Sequence, residues 1–171
     1  ADKVARVVVE PGTSGLAAIE QHFGHDILLP SGGLDRAALR KIVFDNPSER
    51  KILEGITHPR IRDEIGRQLR EATSAYVVLS SPLLLESGQS TFADFVVVID
   101  VPEAVQLRRT MSRDDNSEQL VKQIMAAQLD RETRLSRGDT AITNSASLEA
   151  LHEKVEALHV ELLAKADASP R

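Results

Sequence analysis

The sequence predicts an α/β protein whose parallel sheet is covered by helices on both faces. Two apolar, β-branched runs, residues 76–80 and 95–100, show no polar alternation, which is typical of strands buried on both faces. Helical patterns come after these runs, and residues 139–144 are predicted to form one more short strand. Because strands that alternate with helices favour parallel pairing, the sheet is predicted to be parallel.

The first part of the chain, up to about residue 72, is predicted to be almost entirely helical. Residues 1–10 carry apolar side chains at helical spacing, and the Pro11-Gly12 pair ends this segment. Residues 15–23 repeat the pattern, with Gly24 as the expected C-terminal stop. A short apolar run at residues 27–29 follows.

Two capping signals predict the next helices. Asp35 is the expected N-cap of a helix that reaches about residue 44. Asn46, directly before Pro47, is expected to open a longer helix, because Pro is favoured at the first helical position. The His58-Pro59 pair is expected to break or kink that helix.

The second part of the chain contains fewer strands than its pattern requires. Helices are predicted at residues 103–113, 118–135 and 148–164, but only about three strands can be identified. Sheets have roughly five to six strands on average. We therefore expect a strand, a loop and a helix of roughly 30 residues ahead of Ala1.

The composition narrows the possible functions. The 171 residues suffice for one sizeable core, with 42% hydrophobic and 27% charged residues. A formal net charge of -5 argues against non-specific binding to nucleic acid or anionic membrane. Cysteine is absent, which excludes disulfides and thiolate chemistry within the chain. The apolar runs are too short to span a bilayer and no targeting segment is found, so we expect a cytoplasmic protein. We also expect a monomer or a weak homo-oligomer.

Asp2 and Arg6 form the first candidate pair for chemistry. They stand four residues apart and would share one helix face, so a surface ion pair is the simplest interpretation. The functional interpretation is a carboxylate at the carboxyl edge of a sheet, where α/β proteins bind ligands. From that position Asp2 could accept a proton from a substrate hydroxyl.

A loop and a histidine provide weaker signals. The sequence Ser81-Pro82-Leu83-Leu84-Leu85-Glu86 comes directly after a predicted strand, where substrate pockets are common, although an ordinary connecting loop explains it equally well. His58 beside Pro59 is more often structural than catalytic, and the residues alone assign it no acid–base role.

Arginines are concentrated in one stretch of the second part. They are Arg108, Arg109, Arg113, Arg131, Arg134 and Arg137. Acidic residues between them favour a solvated, salt-bridged pair of helices. Guanidinium groups nevertheless bind phosphates through two oxygens at once, so a mobile helical lid over a polyphosphate is the alternative.

Other catalytic motifs are absent from the sequence. The phosphate-binding pattern Gly-x-x-x-x-Gly-Lys-Ser/Thr occurs nowhere in the 171 residues. The five histidines lack metal-ligand spacing, and no nucleophile-elbow pattern is found.

Taken together, the motifs resemble those of bacterial dephospho-coenzyme A kinases. The first six residues, ADKVAR, are similar to the end of the family's Asp-Ala-Asp-x-Ile-Ala-Arg segment. Further motifs follow in the family's order and spacing: Val9-Glu10-Pro11-Gly12, His22-Phe23-Gly24, Leu34-Asp35-Arg36, His58-Pro59, Pro82-Leu83-Leu84-Leu85-Glu86, Val97-Val98-Ile99-Asp100, Gln106-Leu107-Arg108-Arg109, Met111-Ser112-Arg113-Asp114, Gln128 and Arg134. The resemblance covers all but the C-terminal tail, and the ordered set is far more specific than any single motif.

The resemblance implies a three-layer, P-loop kinase-like fold. Residues 1–10, 74–112 and 138–171 would form the nucleotide-binding core, residues 11–73 a helical region that binds the coenzyme A substrate, and residues 113–137 the lid. The implied reaction is transfer of the γ-phosphoryl group of ATP to the ribose 3′-hydroxyl of dephospho-coenzyme A, with Mg²⁺ bridging the phosphates. This is the last step of coenzyme A biosynthesis.

The resemblance also implies roles for individual residues. Asp2 matches the family's proposed base, and Arg109 matches its phosphate-contacting arginine. The acceptor would be surrounded by Arg6, His58, Pro82, Leu83 and Leu84. ATP and the lid would involve Arg113, Arg131, Arg134 and Asn144.

Some departures from the family pattern qualify these expectations. The Gly-rich loop, with its Lys and its Mg²⁺-binding Ser or Thr, would precede Ala1, and Gly138 and Thr143 replace residues that are more often Ala and Asp. If nothing precedes Ala1, we expect this chain not to turn over. A kinase of another small-molecule acceptor and a non-catalytic coenzyme A-binding module are the competing hypotheses, which acceptor competition and calorimetry with ATP would separate.

Overall fold

The structure, a computed structural model, describes residues 1–168. The chain divides between Thr73 and Ser74 into two compact units, which we call the helical unit and the strand unit. Residues 1–10, which we grouped with the nucleotide-binding core, lie in the helical unit. The functional division of the chain stays a prediction, and its residues 169–171 lie outside the described part.

The helical unit consists of helices held by the predicted caps. Its α-helices are α1 (Asp2–Val7), α2 (Ser14–Phe23), α3 (Arg36–Asp45) and α4 (Pro47–Glu71), with a 3₁₀ turn at His25–Ile27. The side chain of Asp35 accepts hydrogen bonds from the amides of Ala37 and Ala38, and Asn46 caps α4 in the same way. Gly24 ends α2 with φ of 87°, a conformation that glycine adopts without strain. These caps and stops confirm the predicted helix boundaries.

The helical unit has an apolar core. Ile19 and Ile27 are almost completely buried, and Ile65 of α4 is 2% exposed. Helices α1, α2 and α3 all pack against α4. A break or a kink was predicted at His58-Pro59. The break is wrong, because α4 continues through Pro59, and the kink stays a prediction. Packing along α4 offsets the single backbone hydrogen bond that the proline removes.

The strand unit contains a parallel pair of strands with helices around it. Its elements are β1 (Val97–Asp100), α5 (Glu103–Asp114), α6 (Glu118–Ala126), α7 (Arg131–Ser136), β2 (Thr140–Thr143) and α8 (Leu148–Ala168), with a 3₁₀ turn at Gln89–Phe92. Asp100 pairs with Thr143 in the register of β1 and β2. Helix α7 packs against β1, and α8 packs against β2. The predicted α/β class and parallel pairing are confirmed.

Two predicted elements of the strand unit differ from the structure. Residues 76–80 are not a strand, because within residues 1–168 the sheet consists of β1 and β2 alone and no ladder includes this run. The predicted helix over residues 118–135 is two helices, since Asp130 accepts a hydrogen bond from the Thr133 amide and starts α7 anew. Residues 127–130 therefore form a short connection between α6 and α7.

Two glycines stand where a side chain has little room. A Cβ on Gly15 would lie 2.0 Å from the carbonyl oxygen of Val8, which is backbone. A Cβ on Gly138 would lie 2.6 Å from a methyl group of Val98, which is a side-chain atom. Close packing therefore explains both glycines, with a more rigid obstacle at Gly15.

None of the helices within residues 1–168 is both long and apolar enough to cross a bilayer.

Candidate functional site

A group of polar residues meets at the carboxyl ends of β1 and β2. The backbone amide of Asn144, directly after β2, donates a 2.8 Å hydrogen bond to the carbonyl of Asp100, the last residue of β1. Arg109 of α5 donates from Nη1 to the carbonyl of Asn144 at 2.7 Å. The main chain of Asn144 is thus fixed on both sides, while its side-chain amide has no hydrogen bond to any described residue.

A partly buried ion pair lies at the same edge. Nε and Nη2 of Arg131, the first residue of α7, donate to the two carboxylate oxygens of Asp100, each at 2.7 Å. Asp100 is only 8% exposed. The hydrogen bonds from Arg131 hold the pKa of Asp100 below its ordinary value, against the opposing effect of burial, and the charge of Arg134 lowers it further.

Hydrogen bonds link Asp100, Arg109, Arg131 and Asn144, and the charge of Arg134 acts on Asp100. We call these five residues the strand-end cluster. The cluster carries three guanidinium groups and one carboxylate, so its own charge favours an anion. The carboxyl edge of parallel strands is the usual ligand site of α/β proteins. Guanidinium groups bind phosphate oxygens through paired N–H donors. The cluster is therefore suited to a polyphosphate.

The loop after residue 81 contacts the segment between α6 and α7. After their predicted roles, we call residues 82–88 the acceptor loop and residues 127–130 the lid hinge. Oε1 of Glu86 accepts a 3.1 Å hydrogen bond from the amide of Leu129. Pro82 and Leu83 are exposed and Leu84 is half-buried, so the loop presents apolar side chains.

Arg113 is paired locally at the end of α5. Its Nε and Nη2 donate to the carboxylate of the adjacent Asp114, at 2.6 and 2.7 Å. This contact raises the pKa of the guanidinium and lowers that of the carboxyl. Both residues are exposed, and among the described residues Arg113 forms no ion pair or hydrogen bond with the strand-end cluster. Of the predicted ATP and lid residues, Arg131, Arg134 and Asn144 come together with Arg109, whereas Arg113 does not.

The candidate residues of the helical unit are exposed. Asp2 and Arg6 occupy the first and last turns of α1, and within residues 1–168 they form no ion pair with each other. The simplest interpretation of their spacing is therefore wrong. His58 lies on the exposed surface of α4.

An apolar cavity of about 260 Å³ lies within the helical unit. Two guanidinium-bearing residues of α3, Arg36 and Arg40, line it together with Thr57. Its apolar lining includes Ala5, Val9, Ile19, Leu39, Leu53 and Ile61. Neither arginine has an ion-pair partner in the described part of the chain, so the cavity combines apolar walls with available positive charge.

Sequence reasoning missed two carboxylates of the strand unit. Asp100 and Glu86 both belong to recognised motifs, but neither was assigned a role. The signal for Asp100 was its position, because a charged residue that ends an apolar strand lies at the ligand edge of a parallel sheet. No sequence signal could have shown that Glu86 contacts Leu129, 43 residues away.

Parallel strands with guanidinium groups at their carboxyl edge, followed by a helical segment, place the protein in the class of α/β phosphotransferases. A sequence model of the dephospho-CoA kinase family matches residues 1–150. The chain belongs to the dephospho-CoA kinase family, as its motifs indicated.

Individual relatives agree with this assignment. The dephospho-CoA kinase of Idiomarina loihiensis is 48% identical over 164 residues, which are 96% of this chain and 81% of that protein. The enzyme of Hahella chejuensis is also 48% identical, over 93% of this chain and 76% of its own length. The solved structure of the dephospho-CoA kinase from Campylobacter jejuni superposes with a TM-score of 0.71 at 32% identity, covering 96% of this chain and 83% of that one. This likeness confirms the predicted kinase-like fold.

Proposed function

We propose that the protein transfers the γ-phosphoryl group of ATP to the ribose 3′-hydroxyl of dephospho-coenzyme A. Family membership supports the reaction, and the strand-end cluster is the single observation that carries the nucleotide assignment. Three guanidinium groups at the carboxyl edge of parallel strands provide the charge that a triphosphate requires.

In the proposed reaction the 3′-oxygen attacks the γ-phosphorus. A bond forms between these two atoms while the bond to the β,γ-bridging oxygen breaks, and ADP leaves with that electron pair. The carboxylate of Asp2 accepts the hydroxyl proton. Its exposure and its lack of an ion pair with Arg6 leave it available for this role.

The strand-end cluster neutralises charge in this proposal. Arg109 contacts the transferring phosphates with the guanidinium nitrogens that its bond to Asn144 leaves unused. Arg134 adds positive charge, Arg131 holds α7 in place through Asp100, and Arg113 is a further lid arginine once it leaves Asp114. The side-chain amide of Asn144 is available to the adenine. Phosphoryl transfer depends mainly on such positioning and charge neutralisation.

The acceptor substrate has a partly apolar pantetheine arm and an anionic diphosphate, and the helical unit offers surfaces suited to both. We assign the arm to the apolar cavity and the diphosphate to Arg36 and Arg40 at its wall. Arg6, His58, Pro82, Leu83 and Leu84 are further proposed contacts of the acceptor, as the resemblance to the family implies.

Mg²⁺ accompanies ATP in this proposal. Within the described residues no three acidic or histidine side chains come together as a metal site. Mg²⁺ usually binds through substrate phosphates, water and one or two protein oxygens. When bound, the ion neutralises phosphate charge. A cytoplasmic location and a monomeric or weakly associated state stay predictions.

The test is a coupled assay of the full-length protein with ATP and dephospho-coenzyme A, together with Asp2→Asn. We expect turnover by the unaltered protein, phosphorylation at the 3′-position, and a loss of about 100-fold or more in kcat for Asp2→Asn. Preference for a different acceptor in a competition assay would support another kinase. Binding of dephospho-coenzyme A without any binding of ATP would support a non-catalytic module.

A further inference from the structure

The lid hinge and the start of α7 each make a hydrogen bond to another part of the strand unit. The amide of Leu129 donates to Glu86 of the acceptor loop, and two residues later the guanidinium of Arg131 is held by Asp100 at the end of β1. Leu129 lies between the end of α6 and the cap of α7, so its amide has no place in either helix ladder. Glu86 supplies the partner that this amide would otherwise lack.

We infer that Glu86 is a positioning residue for phosphoryl transfer, because it joins the acceptor loop to the lid hinge and thereby sets the place of α7. This inference rests on the proposed function. Helix α7 carries Arg131 and Arg134, two cations of the strand-end cluster. A displacement of the acceptor loop, which contains Glu86, would therefore change the position of these two cations.

A carboxylate is well suited to this contact but its charge is not essential. A hydrogen bond from an amide to an ionised carboxylate is stronger than a neutral one. The side chain of Gln has the same length and keeps an oxygen acceptor, whereas Ala has none. Glu86→Gln should therefore retain the contact and Glu86→Ala should abolish it. Leu129→Pro removes the donor from the other side.

Steady-state kinetics of the full-length protein, with ATP varied at saturating dephospho-coenzyme A, test the inference. We expect Glu86→Ala to lower kcat/KM for ATP about tenfold, the effect of losing one hydrogen bond to a charged group. Glu86→Gln should stay within about threefold, since the weaker neutral bond remains. Leu129→Pro should match Glu86→Ala, and the double variant should be no worse than either alone, because all three lack the same bond.

Glu153→Ala is the matched control, because Glu153 is an exposed carboxylate on α8 whose side chain has no ion pair within residues 1–168. We expect wild-type kinetics from it. Hydrogen exchange at Leu129 gives a readout independent of turnover and should be faster in Glu86→Ala than in the control.

Each contrary result identifies what fails. Equal impairment of Glu86→Gln and Glu86→Ala would overturn the positioning role in favour of a direct role of the charge. Faster exchange at Leu129 with unchanged kinetics would show a contact without a positioning function. Failure of the unaltered protein to phosphorylate dephospho-coenzyme A would overturn the proposed function itself, whereas normal turnover by both it and Glu86→Ala would overturn only the inference about Glu86.

Discussion

The helical unit and the strand unit bury different kinds of side chain. Of the ten buried hydrophobic residues within residues 1–168, eight lie in the helical unit, and only Val121 and Ile142 lie in the strand unit. The buried charged residue of the described chain, Asp100, belongs to the strand unit. Apolar burial stabilises a fold without regard to direction, whereas a buried ion pair fixes particular atoms. We therefore expect core substitutions in the helical unit to affect stability and substitutions at the strand-end cluster to affect activity.

Removing a core side chain from the helical unit should have the largest effect. Ile65 is 2% exposed, so Ile65→Ala should lower the free energy of unfolding by about 2–5 kcal/mol through lost burial and a cavity. Urea unfolding measures this change. Val160→Ala in the strand unit, where the side chain is 66% exposed, is the control and should change stability by about 0.5 kcal/mol at most. Similar losses in both variants would remove the proposed difference between the units.

Arg109→Ala should lower the activity while leaving the stability nearly unchanged. Because Arg109 is exposed and is proposed to contact the phosphates, we expect kcat/KM to fall about 100-fold while the urea midpoint stays nearly constant. Arg108→Ala, at the adjacent exposed position of α5, should remain within about twofold of the unaltered enzyme. An equal loss of activity in the two variants would show that general positive charge on α5, rather than Arg109, matters.

The two close-packed glycines, one in each unit, should respond differently to an added methyl group. Gly15→Ala places a Cβ against the backbone of Val8 and should destabilise the protein by about 1–3 kcal/mol, measured by urea unfolding. Gly138→Ala meets the side chain of Val98 instead, which a second substitution, Val98→Ala, can move out of the way. Stability should recover in that double variant. A recovery no larger than expected from adding the two single effects would show that the Val98 methyl is not the obstacle.

The partly buried ion pair of Asp100 and Arg131 should give a small, pH-dependent effect on stability. The folded-state pKa of Asp100 is lowered by Arg131, so its contribution to stability is present above the unfolded pKa of about 4 and is lost as the pH falls through the folded value. Asp100→Asn removes this titration. The stability difference between the unaltered protein and Asp100→Asn should therefore be constant near neutrality and shrink below about pH 4. A difference that stayed constant down to pH 2 would contradict the depressed pKa.

Local signals predicted much of the fold. Asp35 and Asn46 were predicted as caps because their side-chain oxygens can accept amide protons at a helix start, and both do so. The apolar runs around Val97–Asp100 and Thr140–Thr143 were predicted as strands, and both pair in parallel. Residues 76–80 have a similar apolar, β-branched composition but do not pair with another strand. Strand formation depends on a neighbouring strand as well as on composition. The uninterrupted α4 shows that tertiary packing outweighs a local breaker.

The candidate site was partly predictable, because some of its residues belong to local sequence motifs. Arg109, Arg131, Arg134 and Asn144 were identified through motifs, and the structure brings them together at one edge. The bonds of Asp100 with Arg131 and of Glu86 with Leu129 join residues 31 and 43 positions apart. Such contacts depend on the path of the whole chain, so no local pattern encodes them.

A structure of the full-length protein with a non-hydrolysable ATP analogue tests the central claim most directly. We predict that the phosphates lie within hydrogen-bonding distance, about 3 Å, of the Arg109 guanidinium and that the adenine contacts the side-chain amide of Asn144. Triphosphate bound away from the strand-end cluster, with Arg109 turned toward solvent, would contradict the account.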